Sequence, residues 1–113
     1  MRPFQYIYII FFSTVICNII LVPEDYTYIQ SAINNSTEND TIIVSPGIYV
    51  ENIIIDNHSL SLISSDGPIN TILNGNFNGA VININAPGHH IEINGFTIKN
   101  GIGEQLNSGS RFG

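Results

Sequence analysis

The sequence has one cysteine, one methionine and no tryptophan. Three lysines and arginines stand against nine aspartates and glutamates, giving a net charge of -6, and charged residues are only 11% of the 113. Each shortage excludes something. Cys17 alone cannot close an intramolecular disulfide, so stability must come from packing and hydrogen bonding. Without clustered Lys and Arg the chain is not built to neutralise phosphates, which argues against nucleic acid. The same deficit argues against an anionic membrane surface. Long apolar runs are also missing beyond residue 22. What remains is Ile, Asn, Ser, Thr and Gly, a composition suited to short strands joined by tight turns, in a chain long enough for one domain.

Residues 1–22, "MRPFQYIYIIFFSTVICNIILV", stand apart. Arg2 precedes an apolar run from Tyr6 to Val22 that Ser13, Thr14 and Asn18 interrupt. A basic start and a compact apolar run read as a secretory signal, with cleavage possible after Cys17, or as an uncleaved signal anchor. The chain is therefore expected to be secreted or held at the cell surface, with this segment as its one membrane contact.

Residues 23–40 form a segment of their own, the one that the resemblance below assigns to capping. Ile29, Ala32 and Ile33 fall at i, i+3 and i+4, which predicts one short helix over 28–34 with Thr27 as N-cap and Asn34–Asn35 as its stop. From residue 41 to 101 the texture changes to short apolar runs: "TIIV", "NIII", "SLSLIS", "TIL", "AVININ", "HIEI" and "FTI". Turn pairs such as Pro46–Gly47, Asn74–Gly75 and Asn100–Gly101 punctuate them.

One phrase recurs. Thr-Ile-X-Asn-Gly occupies Thr71–Gly75 and again Thr97–Gly101, 26 residues later. Fixed-interval recurrence suits a coiled array better than a set of hairpins. Stacking the phrases predicts an all-β parallel β-helix of about three coils, preceded by the short helix. Asn74 should lie under Asn100 at equivalent bends, and Ile72 under Ile98 as a core stack. "TIIV", "SLSLIS" and "HIEI" would form one sheet, "TIL" and "FTI" a second, "NIII" and "AVININ" a third.

The stretch "YTYIQSAINNSTENDTIIVSPGIYVENIII" followed by "SLSLISSDGPINTILNG" resembles the opening of right-handed parallel β-helix proteins of the pectin-lyase-like superfamily. The resemblance rests on Ile29–Gln30, Ala32–Ile33, Asp40–Thr41–Ile42, Val44, Pro46–Gly47, Tyr49, Glu51–Asn52–Ile53, Gly67–Pro68 and Thr71–Gly75, and covers about residues 22 to 101. It implies the fold and a helix that caps the open end of the stack. Function is left open, because pectin esterases, polysaccharide lyases and bacterial surface repeats share this opening.

The acid–base constellations of those enzymes are not visible here. Glu51, Asp56, Asp66 and Glu92 are scattered over different turns, whereas glycoside chemistry needs paired carboxylates on one face. No catalytic, cofactor-binding or metal-binding set emerges. His89–His90 are adjacent on an extended chain and face opposite ways, and His58, Lys99 and Arg111 show no partner. Tyr49, Asn83, Asn85 and Glu92 are the candidate contacts to a carbohydrate ligand. The expectation is the N-terminal scaffold of an exported protein that binds extracellular polysaccharide or a surface. The alternative is the first part of a polysaccharide-degrading enzyme whose catalytic coils lie beyond residue 113. Residues 102–113 would begin the next coil or form a tail, and an open last coil would favour self-association.

Overall fold

A computed structural model describes residues 16–103. The elements in chain order are β1 (Ile19–Val22), α1 (Ile29–Asn34), β2 (Asp40–Val44), β3 (Gly47–Val50), β4 (Ile53–Ile55), β5 (Leu60–Ser64), β6 (Thr71–Asn74), β7 (Ile82–Ile84), β8 (Ile91–Asn94) and β9 (Thr97–Lys99). The fold is all-β with three parallel sheets, ordered β1-β2-β5-β8, β3-β6-β9 and β4-β7. From β2 onward the chain visits the first, second and third sheet in turn, then repeats that circuit.

Alternation in the strands decides what is buried. Ile20, Val22, Ile42, Val44, Leu60 and Leu62 face inward on the first sheet, Leu73 on the second, and Ile53 and Ile55 on the third. Fully burying each such side chain contributes about 1.5–3 kcal/mol. In α1, Ile29, Ala32 and Ile33 are buried and join this same core. The helix closes the side of the core next to β1 and β4.

Two strands were not marked by the apolar runs. Ile19–Val22 form β1 and pair with Thr41–Val44, so the folded unit includes residues assigned above to the leader, and any leader boundary belongs before β1. Four consecutive apolar residues carry no alternation, which hid this strand inside the hydrophobic run. Gly47–Val50 form β3, concealed by the turn signal of Pro46–Gly47. Residues 1–15 of the expected signal and 104–113 of the expected tail lie outside the described residues.

The repeated phrase stacks with a one-residue offset. Ile72 lies beside Thr97, Leu73 beside Ile98 and Asn74 beside Lys99. The expected pairing of Ile72 with Ile98 is therefore corrected. Because side chains alternate faces, this slip moves Ile72 from the core to the outer face. Thr71 and Leu73 are the buried residues of β6, and Leu73 sits in register with Ile98, which is 50% exposed.

The bends are also not equivalent. Asn100 adopts a left-handed backbone with φ 59°, and Asn74 does not. The side chains still meet: Asn100 Nδ2 donates to Asn74 Oδ1 at 3.0 Å. Gly75 is required for space. A Cβ there would lie 2.8 Å from Val81 Cγ2 and 2.9 Å from the Asn100 carbonyl oxygen. Gly95 combines φ 87° with close approach of the Ser64 hydroxyl.

Candidate functional site

The four candidate ligand contacts fall on three different sheets. Tyr49 is in β3, in register with Leu73, and packs against the core. Its hydroxyl donates to the Ser45 carbonyl at 2.8 Å. Burial, followed by the charges of Glu24 and Glu51, raises its pKa above the ordinary tyrosine value. Tyr49 is thus half-buried against the core, with its hydroxyl turned to the backbone. Asn83 is exposed on the third sheet beside Ile54, and Asn85 follows β7 with its N–H donating to the Ile55 carbonyl at 2.9 Å. Glu92 is exposed on the first sheet. Its neighbours in register are Ser61 and, one strand further, Thr41. Ser61 Oγ lies 3.5 Å from Glu92 Oε2. Thr41, Ser61 and Glu92 therefore form one outward polar column, with Ile43, Ile63 and Asn94 as the outward column beside it.

The histidines have partners that the sequence did not disclose. His89 Nδ1 lies 3.6 Å from Glu38 Oε1. Hydrogen bonds from Ser59 first, aided by the charge and hydrogen bond of His89, hold the Glu38 carboxyl below its ordinary value despite an opposing desolvation effect. His58 Nε2 lies 2.7 Å from Ser36 Oγ, beside a cavity of about 120 Å³ lined by Ile33, Asp56 and Asn57 among others. A serine–histidine pair at this distance invites a nucleophile reading. The second bond of the hydroxyl decides against it. Ser36 Oγ also lies 2.7 Å from the Ile33 carbonyl, which has no proton to give. The single hydroxyl hydrogen goes to that carbonyl, so His58 Nε2 must carry the hydrogen that it shares with Ser36. A histidine that donates to serine cannot deprotonate it. The pair fastens the end of α1 to the turn after β4.

Side chains also close the end of the fold where the strands begin. Glu51 accepts from the N–H groups of Ile29 at 2.9 Å and Gln30 at 3.0 Å, capping α1 from 22 and 21 residues away. The expected Thr27 cap is corrected: Tyr28 occupies the N-cap position and makes no side-chain capping bond. Asp25 Oδ2 accepts from Leu21 N at 2.8 Å, and Asp25 N donates to the Leu21 carbonyl at 2.8 Å, so both polar groups of Leu21 on the outer edge of β1 are used.

A polar cleft of about 410 Å³ opens at this end, lined by Asn18, Ile20, Asp25, Tyr26, Asn35, Thr37 and Asp40. Asp40 is 1% exposed. Its carboxylate accepts from Asn18 N at 2.8 Å, Thr37 N at 2.7 Å and Thr37 Oγ1 at 3.2 Å. Burial pushes its pKa up, but these hydrogen bonds and the charge of His58 outweigh burial, and the net shift is downward. Among the described residues, no three His, Cys, Asp or Glu side chains come together as metal ligands. No helix there is long and apolar enough to cross a membrane. Comparison with known protein families, curated proteins and solved structures finds no match.

Proposed function

We propose that this chain is an exported right-handed parallel β-helix scaffold of the pectin-lyase-like kind, whose outer sheet faces bind carbohydrate or another surface without catalysing a reaction. The observation that carries the reading is the circuit of the chain through three parallel sheets in a fixed order. Parallel strands require crossovers, which are almost always right-handed, and a fixed circuit is what a β-helix needs. Crossing the first sheet, the column of Thr41, Ser61 and Glu92 offers hydroxyl and carboxylate groups at the strand spacing of about 4.8 Å. Ile43 and Ile63 beside it offer an apolar strip for the C–H face of a sugar.

The test is affinity electrophoresis of the protein through gels containing pectin, polygalacturonate or a bacterial exopolysaccharide. Retardation by a polysaccharide, reduced by Ser61→Ala with Glu92→Ala, is expected. Unretarded migration in all of them opposes the binding role. Release of methanol, reducing ends or unsaturated uronates would favour the enzyme alternative.

A further inference from the structure

We propose that the mature amino terminus is Asn18 and that its α-ammonium group forms an ion pair with the buried carboxylate of Asp40. The inference rests on the reading above that the chain is exported.

Asn18 is where the fold takes hold of the chain. Its N–H donates to Asp40 Oδ1 at 2.8 Å, its carbonyl accepts from Thr41 N at 2.9 Å, and the next residue enters β1. Ile16 and Cys17 are exposed, and neither is held by a hydrogen bond to another described residue. The sequence allows the same boundary, after Cys17. Cys17 is a small residue within the apolar run, with Val15 two positions earlier, the spacing at which a signal peptidase reads the chain.

Asp40 supplies the physical reason. A carboxylate out of water is stabilised by hydrogen bonds and further by an opposite charge. Asp40 has the hydrogen bonds, but it has no ion-pair partner among the described residues. His58 is close enough to act on it electrostatically, yet its Nε2 is engaged with Ser36. Hydrolysis of the Cys17–Asn18 peptide bond adds one water and leaves a carboxylate on Cys17 and an ammonium on Asn18. The nitrogen atom already 2.8 Å from Asp40 then acquires a positive charge. The bond that the amide N–H gives this carboxylate then becomes an ion pair. The cleft beside Asn18, which Asp25 also lines, gives the other ammonium hydrogens access to water or to that second carboxylate.

The full chain is expressed in a secreting host and the intact mass of the exported product is measured. Loss of residues 1–17 is expected. Retention of the whole chain would defeat the export reading, while cleavage at a different bond would defeat this inference alone. The processed chain has two amines, the Asn18 α-amino group and Lys99, and Lys99 is exposed. The native product is treated with an acetylating ester at neutral pH. Lys99 should react normally, and the α-amino group about tenfold more slowly than in the unfolded chain. Equal α-amino rates in the folded and unfolded chains would overturn the ion pair. Asp40→Asn should abolish the protection, and the rates in the unsubstituted protein stand as the test even if that variant fails to fold.

Discussion

Gln30 occupies the free edge of β4 as a neighbouring strand would. Its Oε1 accepts from the Ile54 N–H at 2.8 Å, and its Nε2 donates to the Ile54 carbonyl at 3.1 Å. Among the described residues the third sheet has two strands, and β4 has no strand on that side. One primary amide satisfies both backbone groups at the middle of the edge. An unpaired edge is a template for another chain. Gln30→Ala is expected to cost about 1–3 kcal/mol through the two unpaired backbone groups. It should also raise light scattering on standing. Urea unfolding and light scattering read the two effects, and unchanged values in both would show that water replaces the amide without loss.

Glu51 performs the related task for α1. A helix of six residues cannot stand alone, and its first N–H groups need acceptors. Glu51→Ala should cost about 0.5–2 kcal/mol, the usual range for losing an N-terminal cap. Amide exchange at Ile29 and Gln30 should accelerate more than exchange in β5. Glu51→Gln, which retains one acceptor, should lie between the two.

Asp40 sets the expected acid limit. Its carboxyl is held below the ordinary value in the folded chain. Such a group contributes stability above its unfolded pKa of about 4, and that contribution is lost as pH falls through the folded value. The unfolding midpoint should therefore drop as pH is lowered below about 4. Asp40→Asn should be less stable at neutral pH and show a shallower acid dependence. Thermal unfolding at constant ionic strength checks both, and parallel pH curves for the two proteins would exclude Asp40 as a source of the acid sensitivity.

The sequence disclosed the grouping of strands better than their faces. Short apolar runs separated by turn residues were enough to sort β2, β5 and β8, then β6 and β9, then β4 and β7, into three sets. The register of β6 against β9 was misread because Ile72 is more apolar than Thr71, so the string pointed the wrong residue inward. Thr71 is fully buried, and its hydroxyl has no hydrogen-bond partner among the described residues, an arrangement that a hydropathy pattern does not suggest. Glu51, Gln30 and Asp25 act on backbone groups, two of them across more than 20 residues. No local periodicity marks such residues. For Glu51 and Gln30, the family-like phrase around them was the only signal.

The hydroxyl of Thr71 gives an expectation of opposite sign. A buried polar atom without a partner keeps its desolvation cost and gains nothing in return. Thr71→Val preserves the branched shape and removes that atom. It should raise stability by about 1 kcal/mol, measured by urea unfolding. A loss of stability would mean that the hydroxyl is satisfied by water inside the fold.

Asn100 carries the most specific expectation, because two of its roles can be separated. Its φ of 59° lies in the left-handed region, and its side chain bonds to Asn74. Asn74 Oδ1 also accepts from Asn76 N at 2.9 Å, so the link ties Asn100 to the turn that follows β6. Asn100→Gly removes the bond and eases the backbone, and the two effects should nearly cancel. Asn100→Val removes the bond and imposes a strained conformation, at about 1–2 kcal/mol for the backbone and about 1 kcal/mol for the bond. Asn74→Ala removes this bond and the one from Asn76 N while leaving the backbone of Asn100 alone. Asn74→Ala combined with Asn100→Gly should cost less than the sum of their separate effects. Denaturant unfolding of the four variants reads this directly. Equal losses for Asn100→Val and Asn100→Gly would show that the left-handed conformation is not what selects asparagine at this bend.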